Sequence, residues 1–148
     1  MEKEEVKKLT SQYRGLRDVQ YAAYDTYARR HGLSSRELAL LEQLWCSPGG
    51  CLQSELGVRL SSARQTISIT VKKFVRLGYV TIATSESDRR IRVVTLTSEG
   101  KRYLKKLIPP IIKAENDAMS ALTDEDAAAL TRITALFSER MKENYDKL

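Results

Sequence analysis

The sequence predicts a mainly α-helical fold with one small β-hairpin, of the α+β class. Apolar residues recur every three or four positions over most of the 148-residue chain, which is typical of amphipathic helices. Two runs rich in β-branched residues, 79–84 and 91–97, flank a polar loop and predict a hairpin. The length is about that of one domain, which we assign to residues 1–148.

The first helix is expected from about Glu4 to Arg30, and Gly32 should end it. It carries one apolar stripe: Val6, Leu9, Tyr13, Leu16, Val19, Ala23 and Tyr27. The helix is longer than a single small core needs, which favours packing against a partner chain. The alternative is a helix that lies across its own domain.

A second helix should begin at a capping box made by Ser34 and Glu37. Leu38, Leu41 and Trp45 would line its buried face. The segment "SPGG" should end this helix, and "CLQ" is predicted as a short extended link. A short third helix in "SELGVRL" would turn Leu56 and Leu60 inward.

The fourth helix is predicted in "SSARQTISITVKKFVRLGY", with Ser61 or Ser62 as its cap and Gly78 at its end. Ile67, Val71 and Phe74 should form its core face. Helices three and four, joined by a tight turn and followed by a hairpin, indicate a winged helix-turn-helix.

Two more helices should complete the chain. Thr97 is expected to cap the fifth, and Pro109 and Pro110 predict a kink or break inside it. Thr123 should cap the last helix, which has three acids in its first turn.

Positive charge is concentrated in one part of the sequence. Residues 59–106 hold twelve lysines and arginines against three acids, a net charge of +9, whereas the rest of the chain carries −3. Such a segment favours a polyanionic partner, with a merely solvated basic face as the alternative.

The predicted outer face of the fourth helix has the residues that duplex recognition needs. Small hydroxyl and amide side chains near its start can reach base edges in a major groove, and cations in later turns can hold phosphates. Ile69 would be exposed there and suits a thymine methyl group. The candidate DNA-binding residues of this region are Ser62, Arg64, Gln65, Thr66, Ser68, Ile69, Lys72, Lys73 and Arg76.

The loop of the hairpin contributes Asp88, Arg89 and Arg90 as further candidates. A narrow minor groove has a strongly negative potential and favours arginine. Asp88 is two residues before Arg90 and could orient its guanidinium. The alternative is an exposed ion pair in a charged turn, worth less than about 1 kcal/mol.

The segments "LSSARQTISITVKKFVRLGYV" and "SESDRRIRVVTLTSEG" resemble the MarR family of bacterial transcription regulators. The family pattern D-x-R followed by L-T-x-x-G is present as Asp88, Arg90, Leu96, Thr97 and Gly100. This resemblance implies a homodimer, joined through helices in residues 1–31 and 101–148, with a DNA-binding lobe in residues 34–100. It also implies a palindromic operator, with the fourth helix in the major groove and the hairpin wing in the minor groove. A repressor released by an effector is the usual function.

The resemblance leaves three kinds of effector open. Small aromatic or phenolic ligands are our first expectation, with Tyr13, Arg17, Gln20, Tyr21 and Tyr24 on one side of the first helix as candidate contacts. The alternative is that these tyrosines belong to a dimer interface. Thiol oxidation is our second expectation and ranks below a ligand, because the first helix lacks the cysteine that the family's peroxide sensors usually have there. Cys46 and Cys51 are more simply interpreted as ordinary thiols. Metal ranks last, since His31 is the only histidine, and we expect no metal or cofactor.

Other classes of function find less support. An enzyme needs a nucleophile with a positioned base, and the sequence offers no such set and no phosphate-binding glycine loop. A winged-helix module for protein contacts is the remaining alternative, and weak salt dependence of DNA binding would favour it. The charged N-terminus and the absence of an apolar run near about 20 residues predict a cytoplasmic protein with no membrane association.

Overall fold

The computed structural model describes residues 1–84 and 91–148. In this part of the chain the helices are α1 (Lys3–Arg30), α2 (Ser35–Trp45), α3 (Gln53–Arg59), α4 (Arg64–Arg76), α5 (Ser98–Ser120) and α6 (Asp124–Tyr145). The strands are β1 (Cys51–Leu52), β2 (Val80–Thr84) and β3 (Arg92–Leu96). The predicted mainly α fold with a small sheet is confirmed. The chain divides into two compact units, residues 1–104 and 105–148.

The junction between α1 and α2 follows the predicted capping residues. Gly32 takes the left-handed conformation, with φ of 71°, and its N–H bonds the carbonyl of Arg29 while that of Leu33 bonds Ala28. Ser34 then starts α2 with a complete capping box: its Oγ accepts from the N–H of Glu37, and its own N–H donates to the Glu37 carboxylate.

The core of the first unit is built from leucines of α2 together with side chains of α3, α4 and the sheet. Leu38 and Leu41 are buried as predicted, but Trp45 is only half-buried, and Leu40 and Leu44 are buried in addition. The predicted stripe was therefore too narrow, because α2 has neighbours on more than one side. On α3, Leu56 is buried and Leu60 is half-buried.

The turn between α3 and α4 differs from the prediction. Ala63, rather than Ser61 or Ser62, is the N-cap of α4, and no side chain caps it. Ser61 has a left-handed φ of 46°, and the Ser62 hydroxyl donates to the carbonyl of Leu60. Both serines are therefore used in making the tight turn, which leaves neither as a cap.

The three strands form an antiparallel sheet in the order β1-β3-β2. Val80 pairs with Leu96 and Thr84 with Arg92, so β2 and β3 form the predicted hairpin up to the ends of the described strands. Val80, Val94 and Cys51 turn into the core. The hairpin strands β2 and β3 therefore follow α4 in the chain, and β2 contacts α4.

The start of α5 is joined to the end of α4 by the side chain of Thr97. Its Oγ1 accepts from the N–H of Gly100 at 2.9 Å, which is the predicted cap, and donates to the carbonyl of Gly78 at 2.6 Å. The Thr97 N–H also donates to the carbonyl of Tyr79. A Cβ at Gly100 would overlap that same Tyr79 carbonyl oxygen, so the position has room only for glycine.

The helix α5 continues through Pro109 and Pro110 without the break that we predicted. Each proline removes a hydrogen bond to the carbonyl four residues earlier, at Lys105 and Lys106. Both prolines and both lysines are exposed, so water can reach the freed carbonyls. Thr123 caps α6 as predicted, with its Oγ1 accepting from the N–H of Asp126 at 3.1 Å.

Candidate nucleic-acid interface

The inner face of α4 fixes which of its side chains point outward. Ile67, Val71 and Phe74 are buried, as the sequence predicted. The opposite side presents exposed residues at four positions of the prediction: Gln65, Ile69, Lys72 and Arg76. Ile69 is 60% exposed, so its side chain is available to contact a partner.

The remaining candidates flank this face. Arg64 is exposed at the first turn of α4, while Ser62, Thr66 and Ser68 are half-buried. In the described residues, no ion pair involves Arg64, Lys72 or Arg76. The helix therefore presents three cations to solvent and no acid, an arrangement suited to phosphate groups.

Lys73 is placed differently from the other cations. Its Nζ lies 2.6 Å from Glu37 Oε1 on α2, and it also lies over the Phe74 ring, 5.8 Å from the centroid. Lys73 was predicted as a DNA-contacting cation, but its ammonium is turned back toward the protein. Glu37, half-buried beside it, was recognised only as a helix cap.

The environment of Glu37 stabilises its charged form. Partial burial alone would raise the pKa of this carboxyl, but the hydrogen bond from Lys73 and the backbone N–H of Ser34 together hold its pKa below the ordinary value. Glu37 therefore carries its negative charge at neutral pH.

A shallow groove of about 440 Å³ lies between the outer face of α4 and strand β2. The groove is lined by Ile69, Lys72, Val75, Arg76 and Ile82, so three apolar side chains and two cations of α4 meet there. Val75 and Ile82 were not among the predicted contacts. Val75 could have been recognised as an apolar residue beside the predicted cationic face, whereas the place of Ile82 depends on how strand β2 packs against α4.

The hairpin loop residues Asp88, Arg89 and Arg90 lie outside the described residues. The strands that lead to them are in place, with Thr84 and Arg92 as the last described pair.

The residues proposed for effector contact do not all face an open site. Tyr24 donates to Glu42 at 3.0 Å, and Arg17 pairs with Asp18 at 3.1 Å and lies 5.9 Å from the centre of the Tyr21 ring. Tyr13 and Tyr21 are exposed. Arg17 therefore has a carboxylate partner already, and an anionic ligand would have to compete with Asp18.

The two cysteines differ in environment. Cys46 is exposed at the end of α2, and Cys51 is buried in β1. No group of three or more histidine, cysteine or acidic side chains that could hold a metal occurs in residues 1–84 and 91–148. Over the same ranges, no helix combines the length and apolar character needed to cross a membrane.

The helix-turn-helix formed by α3 and α4, the hairpin after it and the cationic outer face of α4 define a winged-helix protein of the class that reads duplex DNA. Comparison with known proteins agrees. Residues 31–91 match the model of the MarR family. The chain is 24% identical to the HTH-type transcriptional regulator MhqR of Bacillus subtilis over 139 residues, which cover 94% of this chain and 92% of MhqR.

Two further similarities concern a repressor and a DNA complex. The chain is 27% identical to the transcriptional repressor MprA of Escherichia coli over 88 residues, 60% of this chain and 50% of MprA. Its fold is similar to that of Sco3205, a MarR family transcriptional regulator from Streptomyces coelicolor solved in complex with DNA. The TM-score is 0.80 at 23% identity, over 94% of this chain and 89% of Sco3205. The family match over residues 31–91 agrees with the resemblance of the sequence motifs, and the relatives MhqR and MprA are named as transcription regulators.

Proposed function

We propose that this regulator is a homodimeric repressor that binds a palindromic operator and is released by a small aromatic or phenolic effector. The observation that carries the DNA-binding part is the outer face of α4, where three cations without ion pairs in the described residues surround polar and apolar side chains. The name of the relative MprA, a transcriptional repressor, supports the direction of regulation.

In this proposal the first turns of α4 read bases and the later turns hold the backbone. Gln65, with Thr66 and Ser68, contacts base edges in the major groove, and Ile69 contacts a thymine methyl group. Lys72 and Arg76 bind phosphates on either side of the apolar groove. Arg90, with Arg89 beside it and Asp88 as its partner, enters the minor groove.

Dimerisation is supported by apolar side chains that the chain leaves exposed. On α1, Leu16 is 68% exposed and Val19 is similar. No residue of α6 is buried, and Leu130, Ile133 and Leu136 form an exposed stripe along it, with Ile133 at 53%. Apolar helix faces of this kind are rarely left in water, and a second copy would cover them.

The proposal is tested by selecting bound fragments from random duplex DNA with the purified protein, at low and moderate salt. A palindrome with half-sites about one helical turn apart is expected. Binding with no recovered motif would contradict an operator, and no binding at either salt would contradict the DNA role.

Variants separate base reading from phosphate binding. Gln65→Ala should relax base preference at defined positions, whereas Arg76→Ala should weaken binding to all sequences and reduce the salt slope by about one. Lys142→Ala on α6 removes one positive charge outside the proposed surface and off the stripe of Leu130, Ile133 and Leu136, and it serves as the control. Equal losses from Arg76→Ala and Lys142→Ala would contradict the assignment.

The effector is tested on the recovered operator with benzoate and phenol as probes. Release by either probe, weakened by Arg17→Ala or Tyr21→Ala, would support the site formed by Tyr13, Arg17, Tyr21 and Tyr24. If release is unchanged in both variants, the effector binds at a different site.

A further inference from the structure

The cations of α4 are not equivalent. Arg64, Lys72 and Arg76 point to solvent, whereas the Lys73 ammonium is held by Glu37 across 36 positions of sequence. The Lys73 side chain is still 40% exposed, so its ammonium could swing outward if the carboxylate were neutral. One carboxylate on α2 therefore decides where this cation points.

Both oxygens of that carboxylate are in use. Oε1 accepts from Lys73 at 2.6 Å, and Oε2 accepts from the N–H of Ser34 at 2.9 Å. The side chain of Glu37 is 17% exposed, so solvent screens this pair less than a fully exposed one. The backbone bond fixes the carboxylate at the start of α2, and Lys73 in turn ties the last turn of α4 to it.

We propose that Glu37 is a specificity-determining residue of the DNA-binding surface, because it keeps Lys73 off the phosphate backbone and pins the rotation of α4. This inference rests on the DNA-binding function proposed above. Non-specific affinity comes almost entirely from phosphate contacts, so each additional free cation raises it. In a non-specific complex the freed Lys73 side chain can swing outward to a phosphate. In the operator complex the base contacts fix the position of the helix. The same lysine therefore adds less binding free energy there.

The inference is tested with Glu37→Gln. Glutamine fits the third position of a capping box, so the variant keeps the helix cap and loses only the charge. Binding to a random-sequence duplex at about 0.1 M salt should tighten by about eightfold, and the slope of log affinity against log salt should steepen by about 0.9, the value for one added phosphate contact. Operator affinity should change less, so the ratio of specific to non-specific binding should fall.

Lys73→Met and the double variant show whether the effect passes through the lysine. Lys73→Met alone should leave the salt slope as in the wild type, and Glu37→Gln/Lys73→Met should match Lys73→Met. A double variant that still binds random DNA more tightly than Lys73→Met would overturn the inference, as would an unchanged slope for Glu37→Gln. The inference would also be overturned if Glu37→Gln lost affinity equally for operator and random DNA and had a lower melting temperature, because a purely structural role predicts that result.

The ion pair can also be checked without DNA. Titration of the Glu37 carboxyl by NMR should shift to higher pH in Lys73→Met, because the cation that stabilises the charged form is gone. An unchanged titration would overturn the inference while leaving the proposed DNA function intact. Wild-type protein that shows no salt-dependent binding to any duplex would overturn the proposed function, and this inference with it.

Discussion

The hydroxyl of Thr97 offers a sharp test of how the DNA-binding lobe is held together, because it makes two hydrogen bonds that no other side chain replaces in the described structure. It accepts from the N–H of Gly100 at 2.9 Å and donates to the carbonyl of Gly78 at 2.6 Å. Thr97→Val keeps the shape and the β-branch of the side chain and removes only the hydroxyl. We expect the variant to fold, with the loss confined to these two bonds.

The size of the stability loss in Thr97→Val follows from the two hydrogen bonds that the variant removes. Loss of an N-cap costs about 1 kcal/mol, and loss of the bond to Gly78 costs about 1 kcal/mol more. The free energy of unfolding should therefore fall by about 2 kcal/mol. For a chain of about this size each kcal/mol lowers the melting temperature by about 2 to 4 °C, so a decrease of about 4 to 8 °C is expected.

The assay is urea and thermal unfolding followed by circular dichroism at one protein concentration, with Thr97→Ser as the matched control. Serine keeps the oxygen and should lose less than about 0.5 kcal/mol. A Thr97→Val variant within about 0.5 kcal/mol of the wild type, or a serine variant as unstable as the valine variant, would refute the reasoning.

Three other predictions concern packing, pH and assembly. Gly100→Ala should destabilise the protein by about 3 kcal/mol or more in urea unfolding, whereas Gly15→Ala, in an open position on α1, should stabilise it by up to about 1 kcal/mol; equal effects would contradict the packing argument. The folded pKa of Glu37 is lowered, so its contribution is present above the ordinary value of 4.5 and is lost as pH falls through the folded pKa. Stability of Glu37→Gln should therefore fall less than that of the wild type between about pH 5 and pH 3 in parallel melts. Ile133→Glu should convert the proposed dimer to monomer in light scattering, while Ser138→Glu, with the same added charge, should not.

The features predicted correctly from the sequence depend on contacts between neighbours in the chain. Gly32 ends α1, Ser34 begins α2 and Thr97 begins α5, because each of these signals acts over about three residues. The core face of α4 could also be predicted from the sequence, because the spacing of Ile67 and Phe74 defines it. These local rules were enough to place the helix that carries the candidate DNA-binding surface.

The features that were missed depend on what a residue meets across the fold. Glu37 satisfies a local capping pattern, and nothing in that pattern indicates that Lys73 will reach it from 36 positions away. Ile82 belongs to a strand that was predicted, but its place beside α4 depends on how the sheet packs. Of the kink or break predicted at the prolines of α5, the break is wrong for a related reason: the cost of each proline depends on whether Lys105 and Lys106 face water, which the sequence pattern alone does not determine.

The contacts around Thr97 have a mechanical consequence. The last turn of α4 ends at Gly78, and the first turn of α5 is tied to it through the Thr97 hydroxyl, the Thr97 N–H and the close approach of Gly100 to Tyr79. Because these contacts leave little room for the two turns to shift against each other, we expect a tilt of the first turn of α5 to move the C-terminal end of α4 with it.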